Sequence, residues 1–294
     1  MPLVSETGVG AVAAAMVLVG AGALGGRPAG GDEGRGVPSR TATTSVSLDR
    51  ATIWQDGPPQ TTGLTVLSAS HDFGSVSVFA RLGLVDDRSA GESRAWGASN
   101  PAVGAMLKIR LGGPLQLALL AGTTVPIGSG GGDAPAHPDA LRAMLNGTDW
   151  GGPMFGPNHL DVFEGFRLTA TLRRLTLRLR STLHPALRVR AAKTDRLGPR
   201  VIFTSSGLFA GYALLERLSV FGELAETRFL NRPPFLGSDP AARSDHYAVA
   251  GLALDFPVGG VRHLQPTISF ARAIDAPKRK RAFRLAEIEL QFSF

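Results

Sequence analysis

The chain has 294 residues, of which 44% are hydrophobic and 19% charged, with no cysteine and a net charge of +7. That length holds one large β domain or two smaller ones, and the lack of cysteine excludes a disulfide framework and a thiolate metal site. The basic balance raises nucleic acid as a partner. However, the one dense basic run, Lys278-Arg279-Lys280-Arg281, falls between two strand candidates and reads as a loop, so no nucleic-acid partner is expected.

In chain order, the first feature is the apolar run Gly8 to Gly26. Its centre, Val9 to Val19, suits the apolar region of a signal peptide, and Ala21-Gly22-Ala23 resembles a small-residue cleavage site. Residues 1–7 carry Glu6 and no Lys or Arg, which departs from that pattern. A short membrane anchor or a buried helix would also fit the run, while its Gly and Ala content argues against a transmembrane helix. Residues 1–26 are therefore assigned as a signal-peptide-like segment. Residues 27–44, rich in Gly, Pro, Ser and Thr, are assigned as a disordered linker, and residues 45–294 as a single β domain.

From residue 45 a two-residue period dominates. Twelve strands are predicted: 45–54, 62–71, 75–84, 102–111, 115–126, 160–172, 175–190, 200–213, 217–228, 245–256, 263–273 and 283–294. In 75–84, Val76, Val78, Ala80, Leu82 and Leu84 oppose Ser75, Ser77 and Arg81. In 175–183, Leu175, Leu177, Leu179 and Leu183 oppose Thr176, Arg178, Arg180 and Thr182. Short gaps (72–74, 112–114, 173–174, 214–216, 257–262) alternate with mostly longer ones (55–61, 85–101, 127–159, 191–199, 229–244, 274–282). Up-and-down strands with turns at one end and loops at the other produce this spacing, and an even strand number suits a bacterial barrel. Most segments reach the ~9–11 residues of a tilted spanning strand. Pro266 and Pro185 interrupt two strands, and 200–213 alternates poorly; Pro185 reads as a bulge or the rim.

A soluble β-sandwich has the same period within each strand. Strand length, a light apolar set of Leu, Val and Ala, and an aromatic final strand favour lipid outside and water inside. The expected fold is all-β: a single up-and-down antiparallel transmembrane β-barrel of about 12 strands. On this register Arg81, Lys108, Arg110, Arg178, Arg180, Glu223, Glu287, Glu289 and Gln291 line the lumen, since a charge facing mid-bilayer costs ~2–4 kcal/mol. The same charges could instead fill a closed interior as salt bridges, or the loop 127–159 could plug it.

The stretch Asn100 to Asp133, NPAVGAMLKIRLGGPLQLALLAGTTVPIGSGGGD, resembles transporter-type outer-membrane barrels of the phenol meta-pathway family. It carries Pro101 and Gly104, Lys108, the turn Gly112-Gly113-Pro114, the strand Leu115 to Val125 and the exit Pro126-Ile127-Gly128. The segment 214–226 with Glu223 is similar to a later turn and strand of that family. The chain departs from such barrels in having only two Tyr. The resemblance implies an outer-membrane location in a Gram-negative cell and passage of small, often hydrophobic or aromatic solutes. Likeness to bacterial outer-membrane proteins in general implies that the barrel-assembly machinery reads Phe292 and Phe294. The expected partners are outer-membrane lipid, that machinery and a small-molecule solute.

Other chemistry is weaker. The run Gly128 to Asp133, GSGGGD, lacks the Lys-Ser/Thr ending of a phosphate loop. The six histidines show no metal-ligand spacing, and no nucleophile motif is present. No catalytic residue, metal or cofactor is expected. The rival to a channel is a non-transporting barrel used for adhesion, envelope structure or lipid hydrolysis.

Overall fold

The computed structural model describes residues 43–55, 60–89, 91, 93–132, 140, 143, 152–190, 198–232, 243–259, 261–275 and 283–294. The signal-like segment, most of the linker and the basic run 278–281 lie outside them. Fourteen strands follow in order: β1 (Thr43–Gln55), β2 (Gln60–Phe73), β3 (Val76–Ser89), β4 (Ala95–Ala98), β5 (Ala102–Gly112), β6 (Leu115–Thr124), β7 (His159–Leu172), β8 (Leu175–Arg188), β9 (Arg200–Ala213), β10 (Leu218–Phe229), β11 (Ser244–Leu254), β12 (Phe256–Val258), β13 (Val261–Ala273) and β14 (Arg284–Ser293). Each sequential pair of long strands is antiparallel, and β1 pairs with β14 from Ser45↔Ser293 to Trp54↔Arg284. The ring is a closed twelve-stranded up-and-down barrel, with short β4 and β12 attached beside β3 and β13. Closure leaves no edge of unpaired N–H and C=O groups, which is what a sheet surrounded by oil requires.

The twelve long strands are the twelve expected, with shifted ends. β1 starts at Thr43, so Thr43 and Thr44 belong to the strand and not to the linker. β3 extends to Ser89, five residues past its expected end. Polar Asp86 to Ser89 hid that extension, because they continue the ladder beyond the apolar band. Tight turns join one end of the barrel: Gly74 (φ 82°), Gly112 and Gly113 (φ 102° and 53°), and Arg173 (φ 53°) adopt left-handed conformations there. The longer connections gather at the other, loop end.

Both troublesome prolines sit where pairing lapses. β11 pairs with β13 only from Thr267 onward, so Pro266, opposite Leu290 on the other side, faces a break between β11 and β12. Pairing of β7 with β8 lapses between Asp161↔Ala186 and Glu164↔Leu183 without a change of register, and Pro185 lies in that interval. A residue without an N–H costs no ladder hydrogen bond at such points.

The burial pattern is inverted relative to a soluble sandwich. Leu177, Leu179 and Ile288 are 38%, 44% and 51% exposed on the outer wall. The alternate residues Arg178, Ser47, Ser68 and Ser77 are buried. Within the loop end, however, inward Ile53, Leu64, Val85 and Leu285 form an apolar cluster with Tyr247, Phe283, Met154 and Phe155. Met154 and Phe155 come from a 3-10 turn, Gly152–Phe155, in the β6–β7 connection.

Candidate functional site

Alternation places all nine charged or polar candidates on inward-facing positions. Seven of them line one cavity of about 380 Å³: Arg81 on β3, Arg178 and Arg180 on β8, Glu223 on β10, and Glu287, Glu289 and Gln291 on β14. The cavity runs from Met154 and Leu64 to Arg174, Arg217 and Asp255 beside the short turns. Phe209, Phe221 and Tyr247 supply its aromatic surface. Lys108 and Arg110 of β5 lie outside it, toward the turn end. Lys108 Nζ is 2.8 Å from both carboxylate oxygens of Asp72, which also accepts a hydrogen bond from the Ser77 hydroxyl. Arg110 is exposed.

Charge is separated across the cavity. Arginines occupy β3 and β8, while acids occupy β1, β10 and β14. Asp49 of β1, opposite Glu289 in the ladder, joins the acidic side, and Arg167 of β7 stands opposite Arg180. Sequence reading missed both, because each sits in a strand scanned for its apolar face. Like charges placed opposite each other are unfavourable alone, so each cluster relies on the other. The clearest link is Arg180: its Nε and Nη2 donate to Glu223 Oε1 at 2.9 and 2.6 Å. That reach passes over Gly207 of β9, where an added Cβ would collide with the Glu223 carboxylate and lie 2.9 Å from Arg180 Nε. Arg178 instead lies over the Phe209 ring, 4.7 Å from its centroid.

At the loop end, Asn100 is fully buried and anchors the described parts of the β6–β7 connection. Its N–H donates to Met154 O at 2.7 Å, and its side-chain amide donates to Gly156 O at 2.7 Å and His159 O at 3.2 Å. Its side-chain carbonyl accepts from Gly128 N at 2.8 Å. One residue thus ties both ends of the β6–β7 connection to the wall and aims Phe155 inward. Arg190 adds hydrogen bonds to the carbonyls of Pro126, Gly128 and Pro157 at 3.1–3.2 Å. The glycine run at 128–132 is accordingly engaged by asparagines: Gly132 N donates to Asn158 Oδ1 at 2.7 Å.

An inward aromatic arc lines the wall. Phe79, Phe163, His184, Phe203 and Phe229 are successive neighbours with centroids 6.2, 5.9, 4.6 and 5.7 Å apart. Gly104 and Gly122 make room for the first two rings; a Cβ at Gly104 would lie 2.5 Å from Phe79 Cζ and 2.6 Å from Ala121 O. The Pro101–Gly104 signature therefore has a packing reason. Phe292 falls on the outward face of β14, and Phe294, just past its end, is 47% exposed.

No family model matches the chain, and no curated protein matches it. Among solved structures it is similar to an outer-membrane channel from Pseudomonas putida F1, with TM-score 0.60 and 15% identity over 86% of this chain and 95% of that one. It is also similar to the NanC porin, with TM-score 0.51 and 10% identity over 83% of this chain and 98% of that one. These neighbours share the architecture of outer-membrane β-barrel channels, and the fold of this chain is of that kind.

Proposed function

We propose that this protein is an outer-membrane channel for passive passage of small solutes. The observation that carries the reading is the charged cavity inside a closed barrel whose outer wall is apolar. The cavity sets Arg81, Arg178 and Arg180 against Asp49, Glu223, Glu287 and Glu289, an arrangement costly to assemble merely as filling, since ion pairs inside a barrel return little net stability. It suits a hydrated path on which opposing charges orient a solute. Phe209, Phe221 and Tyr247 favour solutes with an aromatic or apolar body, in keeping with the resemblance to the phenol meta-pathway family. The outward Phe292 and Phe294 are the residues offered to the assembly machinery.

A second reading is a barrel that does not transport, and the apolar cluster around Phe155 at the loop end favours it. The two readings differ in ion flow. Exchanging Arg178 and Arg180 for glutamate should move the reversal potential in a salt gradient toward cation selectivity. Unchanged selectivity in an open channel would remove these arginines from the path.

A further inference from the structure

The outer wall of the barrel carries a second cluster of charge that the lumen does not use. Arg50 of β1 occupies an outward position, opposite exposed Ile288. Its Nη1 donates to Thr65 Oγ1 at 2.8 Å and its Nη2 reaches Asp86 Oδ1 at 2.7 Å. Asp86 is on the outward face of β3, nearer the loop end, and its other oxygen accepts from Arg94 Nη2 at 2.8 Å. The path between Arg50 and Asp86 crosses Gly63, where a Cβ would collide with the Arg50 guanidinium and lie 2.5 Å from Asp86 Oδ1. Arg94 in turn covers the exposed Trp96 ring, 4.4 Å from its centroid. Two residues along β3, Arg88 is exposed on the same face.

We propose that this patch binds the phosphorylated headgroup of a membrane glycolipid. Two arginines, Arg50 and Arg94, share the Asp86 carboxylate and Arg88 stands on the same face, so the cluster keeps a net positive charge after its internal pairing. Guanidinium forks match phosphate oxygens two at a time, which lysines do not. Trp96, and Trp54 on β1, sit on this face as tryptophans do at the membrane interface. Toward the turn end, Leu48 and Leu67 face outward as opposite partners, beside Leu82 of β3, and supply an apolar strip for acyl chains. Arg50 is an outward-facing cation at the loop-end border of that strip, its head turned toward Asp86 and the headgroup level. Arg284, opposite Trp54, and Arg272, opposite Arg284, extend the row of outward arginines across β14 and β13. A bisphosphorylated glycolipid with several acyl chains fits this combination better than a free anion, which would gain nothing from the leucines.

The inference rests on the membrane placement proposed above, and its test is independent of ion flow. The detergent-solubilised barrel would be titrated with diphosphoryl lipid A, phosphatidylglycerol and inorganic phosphate, with bound lipid read by native mass spectrometry. Diphosphoryl lipid A should bind as a discrete adduct, and the pair Arg88→Gln with Arg94→Gln should weaken it about tenfold, the size expected for lost charge-assisted hydrogen bonds. Both residues are exposed, and unchanged heat-modifiable migration would show that the variant is folded. Equal affinity in parent and variant would overturn the proposal. So would phosphatidylglycerol binding as tightly, or displacement by millimolar inorganic phosphate. A barrel that conducts but binds none of these lipids would leave the channel reading standing and end this one.

Discussion

At the scale of single residues, glycines inside strands decide which charges and rings can meet. Gly207 lets Arg180 cross to Glu223. Gly207→Ala should break this bidentate pair and lower folding stability by about 1–3 kcal/mol, the cost of leaving partly buried charged donors unsatisfied. Denaturant titration of folding into bilayers would measure it. Gly104→Ala should be worse tolerated, because the new methyl meets Ala121 O of the neighbouring backbone as well as a movable ring. Residue-level reading of the sequence assigns each lumen candidate a face, since a period of two needs only the local pattern. It did not recover Asp49 or Arg167 as their partners, nor the crossing at Gly207. Those depend on which strands lie across the lumen, and that is set by ring closure, not by any one strand.

At the scale of elements, the β6–β7 connection is the least legible part. Its sequence shows glycines, prolines and a few apolar residues, with no period to show which of them pack inward. The described ends of the connection are tied to the wall because Asn100 collects hydrogen bonds from both, 28 and 56 residues away in sequence. Asn100→Ala should loosen the connection beside the Gly152–Phe155 turn, leaving Gly128 N and the carbonyls of Gly156 and His159 without their side-chain partner. The expected result is larger or more frequent conductance steps, together with a stability loss of about 1–3 kcal/mol. Unaltered conductance would mean that this turn does not limit flow. The strands themselves were legible to within a few residues, including long β8 and β9, because each must satisfy the same apolar band. The short β4 and β12 were not, as neither spans that band.

At the scale of the whole molecule, the protein is an oil-facing ring around a charged interior. A charge placed on the outside should therefore cost more than one placed within. Leu208→Arg, at a 55% exposed mid-strand position of β9, should cost ~2–4 kcal/mol of folding into a bilayer. Ser205→Arg, on the inward face of the same strand beside the cavity, should cost less and should change ion selectivity. The reverse order would place lipid on the wrong side of the sheet. The claim on which the rest depends is that the interior cavity conducts, and single-channel recording of the purified full-length protein in planar bilayers tests it most directly. Discrete voltage-driven current steps are expected. A correctly folded, heat-modifiable barrel that stays electrically silent at every voltage would contradict the account.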